Sequence, residues 1–283
     1  MKRKKGPTGK TLSLFWIAAI LFAIIWLVIA GGPFVYQIFT TFKTSGEFIT
    51  GGLFQLPKKL TFENYVTVLL GGFYKYFLNS FVVLAVSLTL LLFFSAFAAY
   101  PLARMRFKLN RPIFSVIVAM MSIPIHITLI PVFIMTINFG IYDSIYALIG
   151  PNVAFNMPMS VFILTGFMQT ISREMEEAAE IDGCGKFASF FKIIFPLSKP
   201  GLATLAIYNG VMIWNEFIFV MTLTQSQGTR TLPLAVWQYQ GQYSIHIPLI
   251  MTVLTLSSLP VILLYIFGQD KMVKGMMAGA VKG

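Results

Sequence analysis

Charge is scarce in this chain. Asp, Glu, Lys and Arg make up 11% of its 283 residues, less than half of the roughly 25% that soluble domains carry. Hydrophobic residues reach 57%, so a water-soluble fold of this length could not clothe its surface. Acids are the scarcer sign, with ten Asp and Glu against 21 Lys and Arg. There are only two histidines and one cysteine. His126 and His246 have no Cys or paired carboxylates nearby at metal-ligand spacing, which excludes a zinc-type centre and leaves core-facing histidines that find a hydrogen bond as the expectation. Clustered His, Asp or Cys at membrane depth, as an embedded enzyme requires, are missing. The lone Cys184 rules out a disulfide framework, and no thiol role is expected of it. Gly9-Lys10-Thr11 is reminiscent of a phosphate-binding loop, but the Walker pattern requires a glycine where Lys4 stands, so no nucleotide site is expected here.

What the chain has in abundance is apolar runs. A bilayer-spanning helix needs about 20 predominantly apolar residues, and six such windows lie between charged or turn-rich segments: Leu12 to Phe42, Tyr76 to Ala103, Pro112 to Asn138, Tyr146 to Gln169, Gly201 to Leu223 and Ile247 to Gln269. The first follows a basic start, Lys2-Arg3-Lys4-Lys5, as a signal peptide would. Its apolar stretch is longer than the about 7 to 15 residues of a signal core, so an uncleaved anchor is expected. Basic residues mark the cytoplasmic side. With the N-terminus inside, sixteen of the 21 Lys and Arg fall in cytoplasmic segments, and only Lys43, Lys58, Lys59, Lys75 and Arg230 fall outside. The net charge of +11 is therefore a topology signal, and no nucleic-acid partner is expected. This divides the chain into a basic tail (1–11), a first anchor (12–42), an outer loop (43–75), a transmembrane core (76–269) and a cytoplasmic tail (270–283). Within the core lie a cytoplasmic loop at 172–200 and an outer loop at 224–246.

Five of the ten acids gather in that cytoplasmic loop: Glu174, Glu176, Glu177, Glu180 and Asp182. Ser172 suits a helix N-cap, the acids suit the first turns through the helix dipole, and Gly183 with Gly185 suits a left-handed termination. A second short helix follows, with Phe187, Phe190, Phe191 and Ile194 at i, i+3, i+4 and i+7 displaying one aromatic face, and Pro196 as its stop. An amphipathic hairpin lying on the membrane fits the second helix. The first, with Met175, Ala178 and Ala179 as a small ridge between carboxylates, suits a protein groove better than anionic headgroups.

Glu177-Ala178-Ala179, Asp182-Gly183 and Ile194-Phe195-Pro196-Leu197 together resemble the EAA loop of bacterial ABC importer permeases. Trp214-Asn215-Glu216-Phe217 and the ending Val273 to Gly283 are similar to segments of carbohydrate permeases of the maltose type. Cys184 departs from the small, alanine-like residue more usual there. The resemblance spans nearly the whole chain. It implies an all-α integral membrane protein with the six-helix type I importer permease fold, both termini cytoplasmic, in the bacterial cell membrane. It further implies that Glu177, Ala178, Ala179, Asp182 and Gly183, with Phe187 and Phe190 beside them, contact a separate ATPase. ATP and Mg would be bound by that ATPase and no cofactor by this chain. The implied partners are a second permease forming a heterodimer, a dimer of ATP-binding subunits and an extracytoplasmic solute-binding protein.

For a polyhydroxyl solute the path needs hydrogen-bonding groups and aromatic faces, which bundles also use internally. Candidates are Asn79, Asn152, Asn156, Asn209, Trp214, Asn215 and Glu216. Glu216 is the only acid well inside a span, where a charge costs at least about 2.5 kcal/mol. Pro124 with Pro131, and Pro151 with Pro158, are each seven residues apart, about two helical turns, so each pair is expected on one face of a kinked helix. The outer loop at 224–246, with Gln225, Gln227, Trp237, Tyr239 and Tyr243, reads either as a docking loop or as a solvated connector. A permease for amino acids, peptides or metals would share the coupling loop, and a stand-alone secondary transporter would need more intramembrane acids than Glu216.

Overall fold

The computed structural model describes residues 14–51, 55–240 and 245–280. Among these the fold is helical, with no strand beyond an isolated bridge between Gln240 and Ile245. Helix α1 spans Leu14–Thr41, and two short helices follow, α2 at Ser45–Thr50 and α3 at Glu63–Val68. A π-type turn, Leu69–Phe73, leads into α4, Tyr74–Arg104. Within that turn Gly72 has φ +95°, a backbone state that a side chain would strain. Then come α5 (Asn110–Met120), a 3₁₀ turn (Ile125–Thr128), α6 (Leu129–Asn138) and α7 (Tyr146–Gln169). The cytoplasmic hairpin contains α8 (Glu174–Ile181), α9 (Lys186–Ser189), a π turn (Phe190–Ile194) and α10 (Phe195–Leu197). The chain finishes with α11 (Lys199–Trp214), α12 (Ile218–Leu223), a 3₁₀ segment (Leu232–Tyr239) and α13 (Ile247–Ala280).

Four stretches are long and apolar enough to cross a membrane unbroken: Trp16–Thr41, Glu63–Arg104, Tyr146–Gln169 and Ile247–Gln269. Two bent pairs pass the same test together: Asn110–Met120 with Ile125–Asn138, at 93° within the third span, and Lys186–Leu197 with Lys199–Trp214, at 68° where the hairpin meets the fifth. The third span is thus not one kinked helix with both prolines on a face. Pro124 takes an extended conformation (ψ 127°) in the break, and Pro131 sits in the first turn of α6, where its missing N–H has no intrahelical use. Pro151 and Pro158 do share the continuous helix α7.

Helix pairing in lipid relies on close packing more than on hydrophobic burial, and α4 and α7 form the most extensive contact in the bundle. The inner face of α4 carries Ser80, Val83, Ser87, Leu91, Ser95, Ala96 and Ala99. Their small side chains let the two backbones approach. Buried clusters stack along the bundle. Ala96, Ala99, Tyr100, Leu164, Met168, Phe190 and Ile194 form the cytoplasmic one. Val68, Phe73, Tyr76, Trp214, Leu232 and Val253 form the outer one. Helix α1 leans mainly on α13, and its apolar circumference is otherwise open to its surroundings. His126 and His246 are exposed on this chain, because each lies at an end or break of a span; the expected core positions are not what is found.

Candidate coupling surface and translocation path

Helix α8 is delimited by local chemistry. The Ser172 hydroxyl accepts the Glu174 amide at 3.3 Å, and three carboxylates, Glu174, Glu176 and Glu177, occupy the first turn. At the far end Gly183 has φ +81°. The Cys184 amide donates to the Ala179 carbonyl at 2.8 Å and the Gly183 amide to that of Glu180 at 3.1 Å, the two bonds of a Schellman termination. Gly183 alone is left-handed; Gly185 is extended, with φ −71°.

The hairpin divides its side chains between bundle and cytosol. Glu177, Ala178, Asp182 and Gly183 are exposed, whereas Ala179 is buried, so the ridge expected from Met175, Ala178 and Ala179 narrows to the first two. Ile181, 87% exposed, extends it at the tip. The second helix does not display a single aromatic face either. Phe187 is exposed, but Phe190 is buried against Tyr100 and Phe97 with ring centroids 5.2 and 5.6 Å apart. Pro196 does not end this helix: the π turn Phe190–Ile194 precedes it, and the helix runs on to Leu197 before the bend at Ser198.

One residue counted above only for its charge proves central. Arg104, at the cytoplasmic end of α4, has its side chain 3% exposed and pairs through Nε with Glu176 of α8, whose side chain is 13% exposed. Its Nη1 donates to the carbonyls of Met168 and Ile171 at 3.2 and 2.8 Å, and its Nη2 to that of Ser172 at 3.2 Å. Four of its five N–H donors are therefore engaged, and they join the end of α4 to the last turn of α7, to the Ile171–Ser172 connection beyond it and to helix α8. Lys186 pairs with Glu180 in the open, where such a bridge contributes little.

Higher in the bundle, the asparagines expected along the path mostly bond within it. Asn152 is buried and donates to the Leu148 carbonyl at 2.9 Å. Asn156 donates to the Asn152 carbonyl at 2.8 Å, Ser160 to that of Asn156 at 2.8 Å, and Asn209 of α11 to the Ser160 hydroxyl at 2.9 Å. This polar ladder ties α7 to α11. Asn79 reaches outward, giving its amide to the carbonyls of Gly228 and Arg230 at 2.8 and 2.9 Å. Buried Trp214 donates to the Ser257 carbonyl of α13 at 3.1 Å.

The fifth span breaks immediately after Trp214. Asn215 is exposed and donates to the Val211 carbonyl at 2.9 Å, and Glu216 accepts the amides of Phe219 and Val220 at 2.8 and 3.1 Å. The only acid deep in a span is thus the N-terminal cap of α12, satisfying amides that lipid could not.

On the outer face, Asp143, with φ 55°, grips the start of the last outer loop. Its carboxylate accepts the amides of Gln225 and Ser226 at 2.8 and 2.9 Å, the Thr229 hydroxyl at 2.7 Å and the Ser226 hydroxyl. Partial burial pushes this carboxyl up, but the hydrogen bonds from Ser226, Thr229 and the Gln225 amide outweigh it and hold the group well below the usual Asp range. A depressed carboxylate stabilises the folded state above its ordinary value and loses that contribution as pH falls through its own, lower one. Limited proteolysis of the loop should therefore change little from pH 7 to pH 5. It should accelerate only below about pH 4, whereas Asp143→Asn should be cut faster than the wild type from pH 7 to pH 5 and the two should converge as the wild-type carboxyl is protonated. Equal cutting of both proteins at pH 7 would show that the clamp does not hold the loop. Tyr243 lies outside the described residues.

Apolar crossings and a hairpin braced against them define a multi-pass membrane protein. Residues 91–277 match the model for binding-protein-dependent transport system inner membrane components, and the chain belongs to that family. It is 50% identical over 263 residues to a Caldicellulosiruptor sp. (strain Rt8B.4) chain named ABC transporter permease protein ORF2, covering 93% of this chain and 96% of that one. It is 34% identical over 256 residues to the melibiose/raffinose/stachyose import permease protein MelC of Bacillus subtilis (strain 168), covering 89% and 91%. Among solved structures, a bacterial ABC transporter involved in import of the acidic polysaccharide alginate superposes with a TM-score of 0.81 over 94% of this chain and 99% of that one, at 20% identity. That likeness fixes the fold, the type I importer permease architecture.

Proposed function

We propose that this chain is one permease subunit of an ATP-driven importer for a sugar, in particular an oligosaccharide, and forms half of the translocation pathway. ATP and Mg would be held by a dimer of separate cytoplasmic ATPase subunits, and solute delivered by an extracytoplasmic binding protein. A second permease completes the pathway as a heterodimer, since six helices enclose only part of one. The observation that carries this reading is the coupling hairpin: an acidic helix with Ala178 and Ile181 facing the cytosol, ended at Gly183 and pinned from behind by Arg104. An apolar tip so exposed wants a protein groove, and the carboxylates flanking it disfavour an anionic membrane surface. The relative named for melibiose, raffinose and stachyose import supports the sugar.

Gly183→Asp tests the coupling role. A side chain at φ +81° costs about 1 to 2 kcal/mol, and an added carboxylate deepens the local negative charge. The variant should insert in the membrane at the wild-type level yet retain about tenfold less ATPase on co-purification. Undiminished co-purification would sink this assignment of the hairpin.

A further inference from the structure

The 3₁₀ segment Leu232–Tyr239 is not a connector lying on the outer surface. Leu232, Leu234 and Ala235 are buried at 2, 1 and 2% exposure, Leu234 among Val83, Ile213 and Phe219 and Leu232 beside Trp214. The segment re-enters the bundle, and its approach is satisfied by polar groups as backbone at membrane depth requires. Ser80 accepts the Leu232 amide at 2.9 Å, Asn79 binds the carbonyls of Gly228 and Arg230, and Gln238 donates to the Gly71 carbonyl at 2.6 Å.

Re-entry brings Trp237 to Phe217, at the break of the fifth span, with ring centroids 6.4 Å apart and an interplanar angle of 83°. The Arg230 guanidinium lies over the indole, 5.6 Å from its centroid, and its Nε is buried without a hydrogen-bond partner. Phe217 and Trp237 each remain 38% exposed. Asn215, two residues before Phe217, is exposed, and among the described residues only its bond to Val211 engages the amide. Between Asn215 and the outer end of the span at Leu223 lie the break and the six residues of α12, about 9 Å of helix, within the ~15 Å half-thickness of a bilayer core. An interfacial aromatic belt would account for two rings. It does not account for an open amide at that depth, which lipid does not satisfy.

We infer that Phe217 and Trp237, flanked by Asn215 and Arg230, form a carbohydrate-contacting wall of the pathway; this rests on the sugar-importer reading above. The rings meet the C–H faces of a pyranose, while the Asn215 amide and the Arg230 guanidinium address its hydroxyls. Trp214, the other aromatic of the motif, is excluded from this wall by its burial and its bond to Ser257.

The experiment uses the complete transporter in proteoliposomes, with melibiose, raffinose and stachyose as probes and sugar delivered per ATP hydrolysed as the readout. Trp237→Leu and Phe217→Leu, which keep apolar bulk but remove the rings, should lower this ratio about five- to tenfold. Trp237→Phe should stay within about twofold of the wild type. A wild-type complex that moves none of these sugars would overturn the sugar reading itself. Wild-type uptake with unchanged ratios in the leucine variants would overturn the wall alone, and so would uptake and ATP hydrolysis falling in parallel, which marks lost docking.

Discussion

Arg104→Met is expected to abolish transport while the chain still inserts, because it removes the buried charge that ties the end of α4 to helix α8. The pair with Glu176 is nearly sealed from solvent, with side-chain exposures of 3 and 13%. Deleting one member of a buried pair typically costs about 3 to 5 kcal/mol, mostly because the other charge is left uncompensated. Here the carbonyls of Ile171 and Ser172 lose their donors as well, and that of Met168 loses one of several. Helix α8 would then be held to the bundle without its buried charge pair, and motion of an attached ATPase would move α4 and α7 less. The measurement is ATP hydrolysis and sugar uptake in the reconstituted complex: hydrolysis should persist at a lowered, unregulated rate while uptake is lost. Arg104→Met with Glu176→Gln should recover stability relative to Arg104→Met alone, since no carboxylate is then stranded. It should not recover transport, because the connection from α7 to α8 at Ile171 and Ser172 remains unclasped. Wild-type uptake by Arg104→Met would remove the strut from the mechanism.

The parts of this fold that could be read from the sequence are those encoded by neighbours. The long apolar windows became helices, and the hairpin turned at Gly183 because an acidic first turn and a glycine at the C-terminal position are short-range signals. Long-range partnerships left no such trace. Arg104 and Glu176 are 72 residues apart, and nothing in the run Arg104 to Arg111 distinguishes the buried arginine from those that merely mark the cytoplasmic side. The break in the fifth span was equally hidden, because it contains neither Pro nor Gly and depends on Glu216 turning back onto amides ahead of it. Periodicity failed for Phe190 for a different reason. The π turn adds a residue to one turn of helix, so the pattern i, i+3, i+4, i+7 no longer maps onto one face. Conversely, Pro196 signals a stop in the sequence, yet the helix continues through it after the π turn.

Glu216 is the residue at which these levels meet, and its replacement has the second large expected effect. In Glu216→Leu the amides of Phe219 and Val220, now accepted at 2.8 and 3.1 Å, lose their acceptors at a depth where lipid offers none, and each unsatisfied group costs about 1 to 3 kcal/mol in a protein interior. Helix α12 has only six residues and too few internal bonds to absorb that loss, so its first turn should unravel, carrying Phe217 away from Trp237. The expected result is a complex that assembles poorly and takes up no sugar. Glu216→Gln is the informative counterpart: its carbonyl oxygen keeps one amide, while its NH2 group faces the other and repels it. Assembly judged by size-exclusion chromatography should then survive, with uptake slowed or its coupling to ATP altered. Unchanged uptake kinetics in both variants would mean that the break holds its shape without the carboxylate, and that the polar interior of this span plays no part in moving solute.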